Sequence, residues 1–178
     1  MLMYKMKAWG DEMTKKNEKI IKGMLSRISK EQFSKGCIID NRFVMTDGYI
    51  FLVSDEIPNV PLHNETDDKT NYRFLLQSQA KMKRSRKIDV SHSSAAIGKW
   101  HRPYYIGAQA YGIHNAVYSI GIHPSFLSEV MELTKTKTIY VADKYCGSLM
   151  MTGNGITVYI MPILTRSETA EETIIKGD

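Results

Sequence analysis

Residues 119–166, SIGIHPSFLSEVMELTKTKTIYVADKYCGSLMMTGNGITVYIMPILTR, read as a strand, a short helix and three further strands. Pro124 opens the helix at its first position, where a missing N–H costs nothing. Phe126, Leu127, Val130, Met131 and Thr134 fall on one side of a 3.6-residue period and form the buried face, while Ser125, Ser128, Glu129 and Glu132 lie outside. The closing strands are 139–142, 147–152 and 156–161, and Asn154-Gly155 supplies the two positive-φ positions of a type I′ turn.

The same order recurs at the other end of the chain. Residues 3–9 alternate weakly, as a strand would, and 11–30 carry a helical pattern. Met13, Ile20, Ile21, Met24, Leu25 and Ile28 share one side of it, and Lys15, Lys16, Lys19, Lys22 and Lys30 the other. Asp11 and Glu12 suit the positive end of the helix dipole, Arg27 and Lys30 the negative end. Extended runs follow at 37–39, 42–46 and 49–54, with Asp47-Gly48 between the last two as a hairpin signal. The unbroken YIFLV at 49–53 suits a strand buried on both faces, or one whose outer face meets something else.

Two such units predict an α+β fold: duplicated βαβββ units with both helices on one face of antiparallel sheet, in two layers. One domain then spans 1–166, with a first half at 1–54, an irregular basic insertion at 55–115, a second half at 116–166 and a polar tail at 167–178. Within the insertion, Pro58, Pro61 and HNETDDKTN (63–71) read as an exposed loop and 72–76 as a strand. KMKRSRK (81–87) reads as a solvated loop or as a grip on a phosphate backbone or an acidic partner. Trp100 and Tyr104 beside Lys99 and Arg102 suit packing with a salt bridge, or stacking on bases. Residues 104–112 and 116–122 are extended, with a break near His114-Asn115.

With 178 residues, 43% of them hydrophobic, the chain is long enough for one real core. Its net charge of +5 favours polyanions without establishing one as a partner. Cys37 and Cys146 have no second Cys or His at metal-ligand spacing, which fits a reducing cytoplasm. MLMYKMKAWG does not read as a secretory signal, and no apolar run reaches the length of a membrane helix. The spacing of His63, Glu65, Asp67 and Asp68 matches neither an EF-hand loop nor a two-histidine helix. Neither a metal nor any other cofactor is expected.

NRFVMTDGYIFLVS (41–54) resembles the T-D-G segment of bacterial DNA polymerase III β subunits, the sliding clamps. IGIHPSFLSEVMEL, with the strands ending in VYIMPILTR, resembles the last helix and closing M-P segment of the same family. The two blocks cover roughly half the chain, in the family's order. In that family, domains associate into a ring whose helices line a DNA-sized hole, and partners insert a short linear peptide into a surface groove. The resemblance implies DNA contact through Lys15, Lys19, Lys22 and Lys30, and the basic run adds Lys81, Lys83, Arg84 and Arg86 as candidates. It also implies a partner groove with Thr46, Asp47, Gly48 and Tyr49 on one wall and Met161 and Pro162 on the other. The family carries three such domains per chain and this chain has room for one, so a ring would need a homo-oligomer.

Two functions follow as expectations. One is a non-catalytic, clamp-like protein of DNA replication or repair that binds DNA without sequence preference, together with replication or repair proteins bearing short linear motifs. The other is a single-domain adaptor or inhibitor that keeps the fold without encircling DNA; Glu129 and Glu132 on the second helix favour it. An enzyme is not expected: there is no nucleophile elbow, P-loop or dinucleotide fingerprint, and His92, His101, His114 and His123 stand outside any catalytic motif.

Overall fold

A strand with no polar position on either side needs cover on both faces, and residues 50–53, IFLV, are such a strand. In the computed structural model, which describes residues 13–28, 36–63, 66–111, 116–143 and 147–166, both covers are present. The elements in chain order are α1 (Lys15–Ser26), β1 (Cys37–Ile39), β2 (Arg42–Thr46), β3 (Ile50–Ser54), α2 (Thr66–Lys81), β4 (Arg86–Asp89), α3 (Ser94–Ile97), β5 (Tyr104–Tyr111), β6 (Ala116–Ile122), α4 (Pro124–Thr134), β7 (Thr138–Val141), β8 (Leu149–Gly153), β9 (Ile156–Ile160) and β10 (Ile163–Arg166).

The fold is mixed α+β. Seven strands form one antiparallel sheet in the order β1-β2-β3-β9-β8-β7-β4, and three form a second in the order β10-β6-β5. The seam of the large sheet is the β3–β9 pair, with Leu52 opposite Val158. It joins a strand that precedes α2 to one that follows α4.

Alternation along each strand sends side chains to two cores. Phe43, Met45, Ile50, Leu52, Val158 and Ile160 point to the larger one, where α1, α3, α4 and the inner face of the small sheet close over them. Val44, Phe51 and Val53 point the other way, under Tyr72, Leu75 and Leu76 of α2. Burying one such side chain contributes about 1.5–3 kcal/mol, so β2 and β3 are held from both faces of the sheet.

The helix-side elements follow their sequence signals. Thr14 caps α1 by accepting from Asn17 N at 3.3 Å, and Ile21, Met24 and Leu25 are buried as the period predicts. Pro124 occupies the first turn of α4, with Leu127, Val130, Met131 and Thr134 buried and Phe126 partly so.

Four expectations are corrected. The polar 63–71 loop and the 72–76 strand are replaced by α2, because Tyr72, Leu75 and Leu76 lie at helical spacing and cover the back of the sheet. That helix also ends the two-layer expectation: α1, α3 and α4 share one face, and α2 takes the opposite one. The 55–115 insertion is not irregular, since it holds α2, β4, α3 and β5. Finally, Asp47-Gly48 is not a type I′ turn, for three residues separate β2 from β3 and only Gly48 has positive φ, 91°. The positive-φ pairs are Asn154-Gly155, at 54° and 68°, and Asp40-Asn41, at 49° and 61°. The expected first strand at 3–9, the tail at 167–178, Lys30 and Cys146 lie outside the described residues.

Candidate partner and nucleic-acid surfaces

The turn that holds Thr46, Asp47, Gly48 and Tyr49 is brought beside Met161, which Pro162 follows in the chain. Met161 N donates to Tyr49 O at 2.7 Å, which ties the β2–β3 turn to the chain leaving β9. The turn is held from within. Thr46 Oγ1 donates to Ile50 O at 2.7 Å and accepts from Gly48 N at 3.1 Å; Asp47 Oδ1 accepts from Tyr49 N and Ile50 N, both at 2.8 Å. With its backbone fixed this way, Tyr49 is 63% exposed and Met161 51%.

The sequence reading missed the residues that complete this patch. Tyr49 stacks on Phe126 of α4 with centroids 6.1 Å apart, and His123 lies 5.2 Å from the same ring. The Arg27 guanidinium sits 5.8 Å over it. Phe126 satisfies the helical period as a buried residue, yet its place in the first turn of α4 carries it beside the β2–β3 turn. The result is an apolar and aromatic surface flanked by Arg27 and Asp47. It can accept an apolar side chain by contact.

The predicted basic residues divide into two groups. Lys15 and Lys19 are exposed on α1 and have no ion-pair partner among the described residues; Lys22 is paired with Glu18 at 2.5 Å. The acidic residues of α4 face α1: Glu129 accepts two hydrogen bonds from Arg27 at 2.8 and 2.7 Å, and Glu132 pairs with Lys16 at 2.5 Å. Glu132 also accepts from Ser94 of α3 and from Lys135 at 3.3 Å. Its carboxyl is held down to about 2, first by Lys16, then by Ser94 and Lys135, against the opposing effect of burial. Glu129 raises the Arg27 value in turn.

The 81–87 run does not extend the α1 surface. Lys81 ends α2, on the opposite face of the large sheet, and Lys81 and Lys83 are exposed. Arg84 is turned inward. It donates to Gln79 O, Met82 O and Ser148 Oγ at 3.2, 3.2 and 2.9 Å, and stands 5.1 Å over the Tyr159 ring. Burial lowers its value, and its committed donors leave little for a phosphate. Arg86 pairs in register with the buried Val141 and so shares the helix side of the sheet, at its edge; Lys87 lies 5.5 Å over Tyr140 on the other side. A period of two therefore splits a run that looks continuous in sequence.

Among the described residues there is no group of three or more His, Cys, Asp or Glu placed to hold a metal ion, and no helix long and apolar enough to cross a membrane. Comparisons with protein-family models, curated proteins and solved structures return no match to this chain.

Proposed function

We propose that this protein is a non-catalytic, clamp-like protein that associates with DNA through the α1 side and offers the Tyr49–Met161 surface to a partner peptide. The observation that carries the reading is the 2.7 Å bond between Met161 N and Tyr49 O, which joins the two segments that resemble the walls of the clamp groove. The strand order supports it as well, since β3-β2-β1 and β9-β8-β7 run outward alike from the seam and α1 and α4 lie over one core. In a duplicated βαβββ unit those elements would be the equivalent ones. Contact with DNA would be electrostatic and salt-sensitive, led by Lys15 and Lys19.

Light scattering that counts protomers, followed by retention on circular against linear DNA, tests this reading. A closed oligomer retained on circles and lost from linear ends is expected. A monomer that ignores DNA at low salt would end it.

A second reading, a protein-binding adaptor of the same architecture, is favoured by a different observation. Glu129 and Glu132 tie up Arg27 and Lys16, which removes two cations from the helix side while Tyr49 and Met161 stay exposed. It expects no retention on circular DNA by filter binding, and a protein complex in pull-down that Met161→Asp abolishes.

A further inference from the structure

Between Asp89 and Glu129 the sequence contains no acidic residue, and from Val90 to Ala108 it has no Asn or Gln either. The same stretch holds Lys99, Arg102, His92, His101, Trp100 and Tyr104. We propose that the loop after α3 is a base-stacking platform for single-stranded DNA, centred on Trp100.

Three rings meet there. The His92 ring lies 5.0 Å from Trp100 at 70°, and Tyr104 lies 5.6 Å from Trp100 at 32°. Indoles are highly buried on average, yet Trp100 leaves 38% of its surface in solvent. Lys99, His101 and Arg102 around it are exposed.

The backbone beneath the ring is fixed. Trp100 N donates to Ile97 O at 2.9 Å, Ile97 is fully buried, and Ser93 caps α3 by accepting from Ala96 N at 3.2 Å. Ser128 of α4 anchors the same turn by donating to Ser94 O at 2.8 Å. An aromatic side chain on a fixed support loses little freedom when a base stacks on it.

The chemistry of the rim selects the ligand. Stacking accepts any base, and Lys99 and Arg102 supply the positive charge that a sugar–phosphate chain requires. The carboxylates that border the stretch are engaged, Asp89 by Thr138 Oγ1 at 2.7 Å and Glu129 by Arg27, and so is Glu132, which Lys16, Ser94 and Lys135 hold. A carbohydrate platform would need carboxylate or amide groups beside the ring to bond sugar hydroxyls, and residues 90–108 contain none. The choice of DNA over RNA rests on the clamp-like reading above; the stacking itself does not.

The test uses the full chain with Trp9→Phe, which leaves Trp100 as its single indole. Titration with oligothymidylate at low salt should quench Trp100 fluorescence to saturation. Trp100→Ala should weaken binding about tenfold, Trp100→Phe should keep most of the affinity, and Lys99→Gln with Arg102→Gln should flatten the salt dependence. Duplex retention should survive Trp100→Ala and fall with Lys15→Gln plus Lys19→Gln, so a failure of the clamp-like reading shows up separately. Absence of quenching, or equal affinity for Trp100→Ala and its parent, would overturn the platform. Tighter binding of oligouridylate, or quenching only by an oligosaccharide, would overturn the choice of ligand.

Discussion

The two halves of the large sheet run outward from the β3–β9 seam in the same order and finish in opposite ways. At the β8–β9 turn, Asn154 Nδ2 donates to Leu133 O at 3.4 Å, and a Cβ added to Gly153 would lie 2.3 Å from Thr134 O. At the β2–β3 turn, Thr46 and Asp47 hold the backbone, and a Cβ added to Gly48 would meet nothing within 4 Å. One turn is pressed under a helix; the other presents an aromatic ring to solvent. The backs of the halves differ too. α2 covers β1–β3, and its cluster reaches Tyr159 of β9, while the rest of the β7–β9 side carries Lys87 over Tyr140 and a Thr152–Thr157 hydroxyl pair at 2.8 Å. What a position does is set by what packs on it, and its place in the topology alone does not fix that.

The contrast between the turns can be broken most directly at glycine. Gly153→Ala should cost about 3 kcal/mol, because the methyl meets a backbone carbonyl that cannot rotate aside. Gly48→Ala should cost about 1–2 kcal/mol, from its positive φ alone. Urea midpoints for the two variants check the ranking, and equal losses would erase the distinction between a docked and an open turn. Thr46→Val comes next, at about 1 kcal/mol, since it removes the hydroxyl shared by Ile50 O and Gly48 N. It should also lower affinity for any partner that uses Tyr49, which a peptide-binding assay on the same variant would read.

A smaller effect concerns the helices over the seam. The folded Glu132 value, about 2, lies below its ordinary 4.5. Its contribution to stability is therefore complete above 4.5 and is lost as the pH falls from there through about 2. Glu132→Gln should be the less stable protein at neutral pH, and its gap from wild type should close across that acid window, as seen in denaturation midpoints taken against pH. Smallest of all, Tyr49→Ala should change stability by less than about 0.5 kcal/mol, because that ring is 63% exposed. A large loss would mean that the ring serves the fold and not a partner.

Much of this was legible where residue pattern and burial agree. The α1 and α4 periods named Ile21, Met24, Leu127 and Val130 correctly, and of the two readings that YIFLV left open, a strand buried on both faces holds for 50–53 while Tyr49 is exposed. The second cover was not legible. Polar residues dominate α2, and its few inward side chains, Tyr72, Leu75 and Leu76, do not outweigh a loop-like HNETDDKTN in front of them. Charge was misread for a related reason. Sequence shows Glu129 and Glu132 as an acidic face, but only the packing of α1 on α4 reveals that Arg27 and Lys16 meet them. Phe126 likewise counts as core by period, while its neighbours Tyr49 and His123 make it the floor of a surface patch.

The β3–β9 pairing makes the Tyr49–Met161 surface conditional on a long-range contact. Its partners lie far apart in the chain, so the seam carries a loop-closure cost that the β2–β3 and β8–β9 hairpins do not. Without β9, β3 would be the bare edge of a three-stranded piece, apolar from Ile50 to Val53 and open to pairing with another chain. The hydrogen bond from Met161 to Tyr49 closes only when that edge has found β9. A partner that read both residues would thus meet only chains in which the two halves of the large sheet are joined.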